Sequence, residues 1–140
     1  MTSEFAIAVH ALVFLNHKGT TLSSDELAQN ICTNPARIRK IMAKLKKAGL
    51  VQTKEGVEGG YAFIKKAETV TLEDVSNALD ISFVKAGWKS GSTDMDCMIA
   101  SGMAGIMDDI YAGLDRLCKQ HLKTKTLKDI DALILYNRKC

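Results

Sequence analysis

Hydrophobic positions recur with a helical period from the start of the chain. Phe5, Ala8, Leu12 and Leu15, with Ile7, Ala11 and Phe14 beside them, predict a first helix over residues 4–17, apolar on most sides and therefore well buried, and Gly19 follows as a stop signal. Ser23 and Glu26 have the spacing at which a hydroxyl and a carboxylate satisfy each other's backbone donors, which predicts a second helix with Leu27, Ala28 and Ile31 inward. A short turn at Cys32 and Thr33 leads into a third helix. There Asn34 can accept from the first unpaired N–H groups, and Pro35 loses nothing where its missing donor would be idle. At about 100° per residue, Ile38, Ile41, Met42 and Leu45 fall on one stripe, while Arg37, Arg39, Lys40, Lys44 and Lys47 occupy the rest. Ala48-Gly49 ends this helix, Leu50 to Lys54 reads as a strand, Tyr61 to Ile64 as its partner, and Glu55 to Gly60 as the hairpin tip between them.

Three helices followed by a two-stranded hairpin is the winged helix-turn-helix pattern, in which the third helix enters the major groove and the hairpin lies on neighbouring backbone or minor groove. The fold class expected is mainly α with a small β-hairpin, a winged helix-turn-helix domain plus a long dimerisation helix. Thr71 with Asp74 starts a fourth helix through Leu72, Val75, Ala78 and Leu79. Residues 82–96, rich in Gly, Ser, Thr and Asp, are the most loop-like stretch and the expected place for mobility. A long helix then runs from about Cys97 to His121, with Ile99, Met103, Ile106, Ile110, Gly113 and Leu117 stepping by fours and threes as a dimer seam. Gly102, Gly105 and Gly113 cost helix propensity that close backbone approach could offset, and the alternative is a helix folded back on its own domain. Thr126 caps a last helix with Leu127, Ile130, Leu133 and Ile134 inward. The domains expected are 1–80, a winged domain; 81–96, a linker; and 97–140, the dimerisation and C-terminal helices.

The 140 residues are 46% hydrophobic, enough for a real core, and the net charge of +3 is too small to indicate a partner by itself. Clustering matters more than the sum: residues 33–51 contain no acid, and an all-positive helix face beside a helix-turn partner points to double-stranded DNA. A solvated charged helix usually mixes signs. No run reaches the roughly 18 apolar residues that span a bilayer, and the N-terminus lacks the basic start and apolar stretch of a signal peptide, so no membrane and a cytoplasmic location are expected. Cysteines at 32, 97, 118 and 140 have no close pairing or metal-type spacing. Cys32 is read as a small buried packing residue and Cys140 as exposed and incidental. His10, His17 and His121 are scattered, and neither a nucleophile elbow nor a phosphate-binding loop is present, so no enzyme is expected. The methionines at 95, 98, 103 and 107 read as adaptable packing rather than a metal site.

The run Leu45-Lys46-Lys47-Ala48-Gly49-Leu50-Val51, then Gly56, Gly59-Gly60-Tyr61 and Val70-Thr71-Leu72-Glu73-Asp74-Val75, resembles the Rrf-two family of bacterial winged-helix transcription regulators over the whole chain. That family includes the iron-sulfur cluster regulator, the nitrite-sensitive repressor and the cysteine metabolism repressor. The resemblance implies a homodimer with long helices crossing between protomers, and a repressor reading an inverted repeat. It points to Asn34, Ala36, Arg37 and Lys40 for base edges and nearby phosphates, to Arg39, Lys44 and Lys47 for phosphates, and to Lys54, Gly59 and Gly60 in the wing. Arg37 has the paired donors that recognise guanine, whereas lysine contacts chiefly set affinity and its salt slope.

Two departures stand out. Many members carry an arginine before the first wing glycine, suited to a narrow minor groove, and here Glu55 stands there with Lys54 before it and Glu58 beyond. Cluster-binding relatives have three closely spaced cysteines, whereas here Cys97 is followed by Met103 and Asp109 at the matching positions, so no cofactor is expected. Cys97 at a helix start remains a candidate redox sensor, against the plainer reading of an inert cysteine at that position. A small-molecule effector pocket between the winged domain and the long helix is the other sensing route; the sequence offers Phe83, Trp88 and Tyr111 as lining, although core packing is the more ordinary role for aromatic residues near a helix junction. The competing non-enzymatic reading is a winged helix used for protein contact without specific DNA binding, and an iron-sulfur sensor stands behind it.

Overall fold

The computed structural model describes residues 3–137, without the side chains of 135–137. Its elements are α1 (Ser3–Lys18), α2 (Ser24–Ile31), α3 (Pro35–Lys47), β1 (Val51–Lys54), β2 (Gly60–Phe63), a 3-10 turn (Ala67–Thr69), α4 (Leu72–Ala78), α5 (Met98–Lys123) and α6 (Leu127–Asn137). They form two compact units, residues 3–81 with 122–137, and residues 82–121.

In the first unit, α1 is the central rod: Ala8, Ala11 and Leu12 have no exposure, and α2, α3, α4, α6 and β2 all pack on it. The small side chains let neighbouring helices approach. Gly19 ends α1 at φ 66°, a left-handed turn in which its N–H returns to the Leu15 carbonyl at 2.9 Å. The Ser23 and Glu26 cap forms reciprocally at 3.1 and 3.2 Å, and Thr71 with Asp74 does the same at 3.1 and 2.9 Å. Residues of β1 and β2 pair antiparallel, Val51 with Phe63 through Lys54 with Gly60. Leu22, ahead of α2, exchanges two backbone hydrogen bonds of 2.9 and 2.8 Å with Tyr61, so the hairpin is stitched to the helical body. This contact requires Gly60: its φ is 148°, and an added Cβ would overlap the Leu22 carbonyl.

Several expectations need correction. The last helix is not part of a separate 97–140 module, because α6 packs on α1 and beside the 3-10 turn, with Leu127 fully buried in the first unit's core. Thr126 caps α6 as expected, with Asp129 N–H donating to its Oγ1 at 3.2 Å, and the segment ahead of α6 pairs with the start of α4, where Leu72 N–H donates to Lys125 O and Leu127 N–H to Val70 O. Leu133 and Ile134, expected inward, are 62% and 47% exposed. Cys32, expected in the core, is exposed: it terminates α2 at φ 64°, and this left-handed cap turns its side chain outward. Cys140 lies outside the described residues.

The second unit sets residues 82–97 against most of α5. This stretch has no regular element, as its composition suggests, yet it is tied down. Phe83 and Val84 N–H both donate to Asp115 Oδ1, at 2.6 and 3.0 Å, Ser92 N–H donates to Ala100 O at 3.0 Å, and Lys89 pairs with Asp108 at 3.2 Å. Gly91 lies so close to Ala100 that an added Cβ would overlap its carbonyl. Two of these ties are carboxylate contacts made by α5, which a periodicity argument does not see.

Replacing Gly60 by alanine should destabilise the chain by about 2 kcal/mol or more, through the forced positive φ and the lost Leu22–Tyr61 stitch. Urea unfolding followed by circular dichroism checks this; a midpoint unchanged from wild type would mean the hairpin is not coupled to the helical body.

Candidate nucleic-acid interface

The third helix begins as its sequence dictates, with Asn34 Oδ1 accepting from Arg37 N–H at 2.8 Å and Pro35 in the first turn. Ile38, Ile41, Met42 and Leu45 are all at 0% exposure, which fixes the helix about its own axis. Opposite them on the projection lie Ala36, Lys40, Ala43 and Lys47, all exposed. This outer ridge alternates methyl groups with cationic arms. Alanine at two of four positions leaves the backbone accessible to a groove wall, and the lysines flank that low relief.

The remaining cations form two shoulders. On one, half-buried Arg37 donates to Ser3 Oγ at the start of α1, and Lys44 pairs with Glu4 at 3.5 Å. On the other, Arg39 donates to Ser24 Oγ at 3.3 Å and Lys46 to Thr53 Oγ1 at 3.0 Å. All are surface contacts, worth little against water and readily exchanged for phosphate. Arg37, the expected guanine reader, sits on the α1 shoulder rather than on the ridge, so it reaches a base only by leaving Ser3. Ala43 and Lys46 were missed by the sequence reading. Projection of the helix would have found Ala43, whereas the pairing of Lys46 with Thr53 depends on where the chain returns after Gly49.

The wing carries its charge differently. Lys54, Glu55, Val57 and Glu58 are exposed, and Val57 projects fully into solvent at the tip. Gly59 is held by its N–H to Gly56 O at 3.0 Å, and a Cβ there would overlap Lys54 O. Lys54 is thus the single cation of the 54–60 hairpin tip, with two carboxylates near it.

The sequence model of the Rrf2 (Rrf-two) family, described as an iron-dependent transcriptional regulator, matches residues 1–132. The chain belongs to the Rrf2 family. Among curated relatives, it is 25% identical over 130 residues to YwnA, a protein of Bacillus subtilis designated an HTH-type transcriptional regulator, covering 93% of this chain and 96% of that one. A solved transcriptional regulator from Lactobacillus plantarum superimposes with a TM-score of 0.81 at 26% identity, covering 94% of this chain and 89% of that one. CymR, the global cysteine regulator of Bacillus subtilis, shares the fold with a TM-score of 0.68 at 20% identity, over 96% and 97% of the two chains. These relatives are transcriptional regulators, and no enzyme family is indicated. Within this Rrf2 chain, a mainly helical body with a two-stranded wing and a long late helix is the architecture those regulators share.

The family description names iron, so the donor set matters. Among the described residues no group of three His, Cys, Asp or Glu side chains is placed to hold a metal ion. Cys97 and Cys118 are 21 residues apart across α5, on the order of 30 Å at 1.5 Å per residue. Among the described residues, these two thiols do not share a cluster within one chain.

Cys97 stands just ahead of α5, not in its first turn: Ser101 N–H donates to the Cys97 carbonyl at 2.9 Å. The backbone N–H groups of Ala100 and then Ile99 hold its thiol below the ordinary value, against a smaller opposing effect of desolvation. A lowered thiol pKa means more thiolate at neutral pH, so Cys97 should alkylate with iodoacetamide at a lower pH midpoint than free N-acetylcysteine. Peptide mass spectrometry across pH 6–9.5 measures this, and equal midpoints would remove the helix start as a source of reactivity. Along α5, Ile99, Ile106, Ile110 and Leu117 are 49–70% exposed, while Met103 lies partly buried toward the 82–97 segment and Gly113 near Arg116. Gly102 and Gly105 have nothing within 4 Å of an added Cβ. Among the described residues, therefore, no close backbone approach uses those two glycines.

Proposed function

We propose that this protein is a sequence-specific DNA-binding repressor, acting in the cytoplasm as a homodimer on an inverted-repeat operator. The observation that carries the reading is the α3 ridge of Ala36, Lys40, Ala43 and Lys47, flanked by four more cations, on a helix whose opposite face is completely buried. The ridge enters the major groove; Asn34 and Ala36 lie at its leading end, Arg37 reaches a base from the α1 shoulder on leaving Ser3, and Lys40, Lys44 and Lys47 track phosphates. Lys54 and the Gly59-Gly60 backbone supply the wing contact, weakened by Glu55 and Glu58. The homodimer reading is supported by the exposed stripe of Ile99, Ile106, Ile110 and Leu117: four large apolar side chains on one helix face form the kind of surface that soluble proteins cover with a partner. Thiol sensing at Cys97 and small-molecule sensing in the second unit are the two regulatory routes; neither is catalytic.

Lys40→Ala and Lys47→Ala should each lower the log-log salt slope of binding to promoter DNA by about 0.9, as one phosphate contact is lost. Fluorescence anisotropy over a salt series measures it, with scrambled DNA as control. A wild-type protein without salt-dependent sequence preference would favour the protein-contact alternative instead. Changing Ile106 and Ile110 together to aspartate should give monomers in sedimentation, with operator affinity reduced at least tenfold; a dimer that survives the change would place the interface elsewhere.

A further inference from the structure

The second unit contains a cleft of about 290 Å³ that the DNA reading does not use. One wall is α5, through Met103, Ala104, Met107, Asp108 and Tyr111, which share a face by their spacing of three and four. The other wall is the 86–90 segment, where Trp88 is 80% exposed and Lys89 reaches Asp108 at 3.2 Å across the rim. The sequence offered Trp88, Phe83 and Tyr111 as lining for a pocket between the winged domain and the long helix, with core packing as their more ordinary role. Instead Trp88 and Tyr111 line a cleft wholly within residues 82–121, and Phe83 packs under Lys119 at 5.6 Å.

We propose that this cleft binds a free α-amino acid with an apolar side chain. Small-molecule sites range over roughly 300–1,000 Å³, so the cleft is at the lower limit and fits a ligand of few heavy atoms rather than a nucleotide or a folded segment. Its lining is a phenol ring and two thioethers with an indole at the mouth, which together take an aliphatic, thioether or aromatic side chain; the methionines adapt to its shape. The rim offers one ammonium and one carboxylate side by side. An α-amino acid carries the same two charges on groups bonded to one carbon, so its carboxylate pairs with Lys89 and its ammonium with Asp108 while the existing contact opens. That contact is 69% exposed on the lysine side and 43% on the aspartate side, the kind of surface pair that exchanges partners easily. A monocarboxylate or an amine would satisfy only one rim charge, and a dicarboxylate would oppose Asp108. The segment is already pinned on both sides of Trp88, by Asp115 at residues 83 and 84 and by Ala100 at residue 92, so little ordering is needed on binding.

This deepens the small-molecule part of the proposed function, and it is read independently of DNA. Trp88 is the chain's single tryptophan, so its emission reports the cleft alone. L-leucine, L-methionine and L-phenylalanine are titrated into the full-length protein, with 4-methylpentanoate and 3-methylbutylamine as analogues lacking one charge. At least one amino acid should give a saturable blue shift, and both analogues should bind at least about tenfold more weakly. Lys89→Met and Asp108→Asn should each raise the Kd about tenfold or more with the circular dichroism spectrum unchanged. Calorimetry on Trp88→Phe, which keeps an aromatic wall, should still detect binding. The proposal is overturned if no amino acid of the panel shifts the emission up to about 10 mM, a ceiling of negligible affinity. It is equally overturned if both rim variants bind as wild type, or if emission shifts with protein concentration alone, which would mean that a second copy covers Trp88. Operator binding by salt titration without amino acid stands or falls separately.

Discussion

Everything in the first unit depends on burying one stripe of one helix. Ile38, Ile41, Met42 and Leu45 have no exposure, and truncating any of them to alanine is the kind of change that costs about 2–5 kcal/mol in a packed core. A rotation of α3 by one residue's worth of angle would expose part of that stripe and drive a lysine or arginine toward α1. The apolar side therefore sets the azimuth of the cationic side. The two ends cooperate: Asn34 and the outward turn at Cys32 fix where the helix starts, and Gly49, at φ 82°, turns the chain into β1.

Given that azimuth, the surface is graded rather than uniformly basic. The outermost ridge is low in relief because of its alanines, and the shoulders hold cations occupied by hydroxyls and by one glutamate. Such partners keep long side chains extended over the helix without the desolvation that a buried pair would require. The wing departs from this pattern, with two acids and a fully exposed valine beside one lysine. Its stitch to Leu22 gives the hairpin a defined position, so its weak charge is a property of a placed element.

Residues 82–121 show how composition can mislead. A segment of glycine, serine, threonine and aspartate is made orderly by carboxylates of α5 that accept from its backbone, by an ion pair, and by a glycine seated against the helix's first turn. The result is a walled cleft with an indole at its mouth, in the region where the cysteines of cluster-binding relatives would be expected. The family description names iron, yet among the described residues no three donors gather, and the cleft offers aromatic, thioether and paired-charge chemistry.

The sequence by itself determined the local architecture, because each feature is written within a few residues: caps at Ser23, Asn34 and Thr71, the helical stripe of α3, and the glycines of the hairpin. It also carried the family likeness, which rests on short motifs at set distances. Only the tertiary structure decided what depends on distant segments meeting. Arg37 is drawn to Ser3, Lys46 to Thr53, and α6 returns to α1 instead of continuing with the long helix. Cys32 turns outward through a left-handed cap, and Asp108 and Asp115 reach back to a loop more than 15 residues earlier. Periodicity reports which face of an element is apolar; it carries no information about which apolar face it will meet, and that choice set both the occupied shoulders of α3 and the cleft beside Trp88.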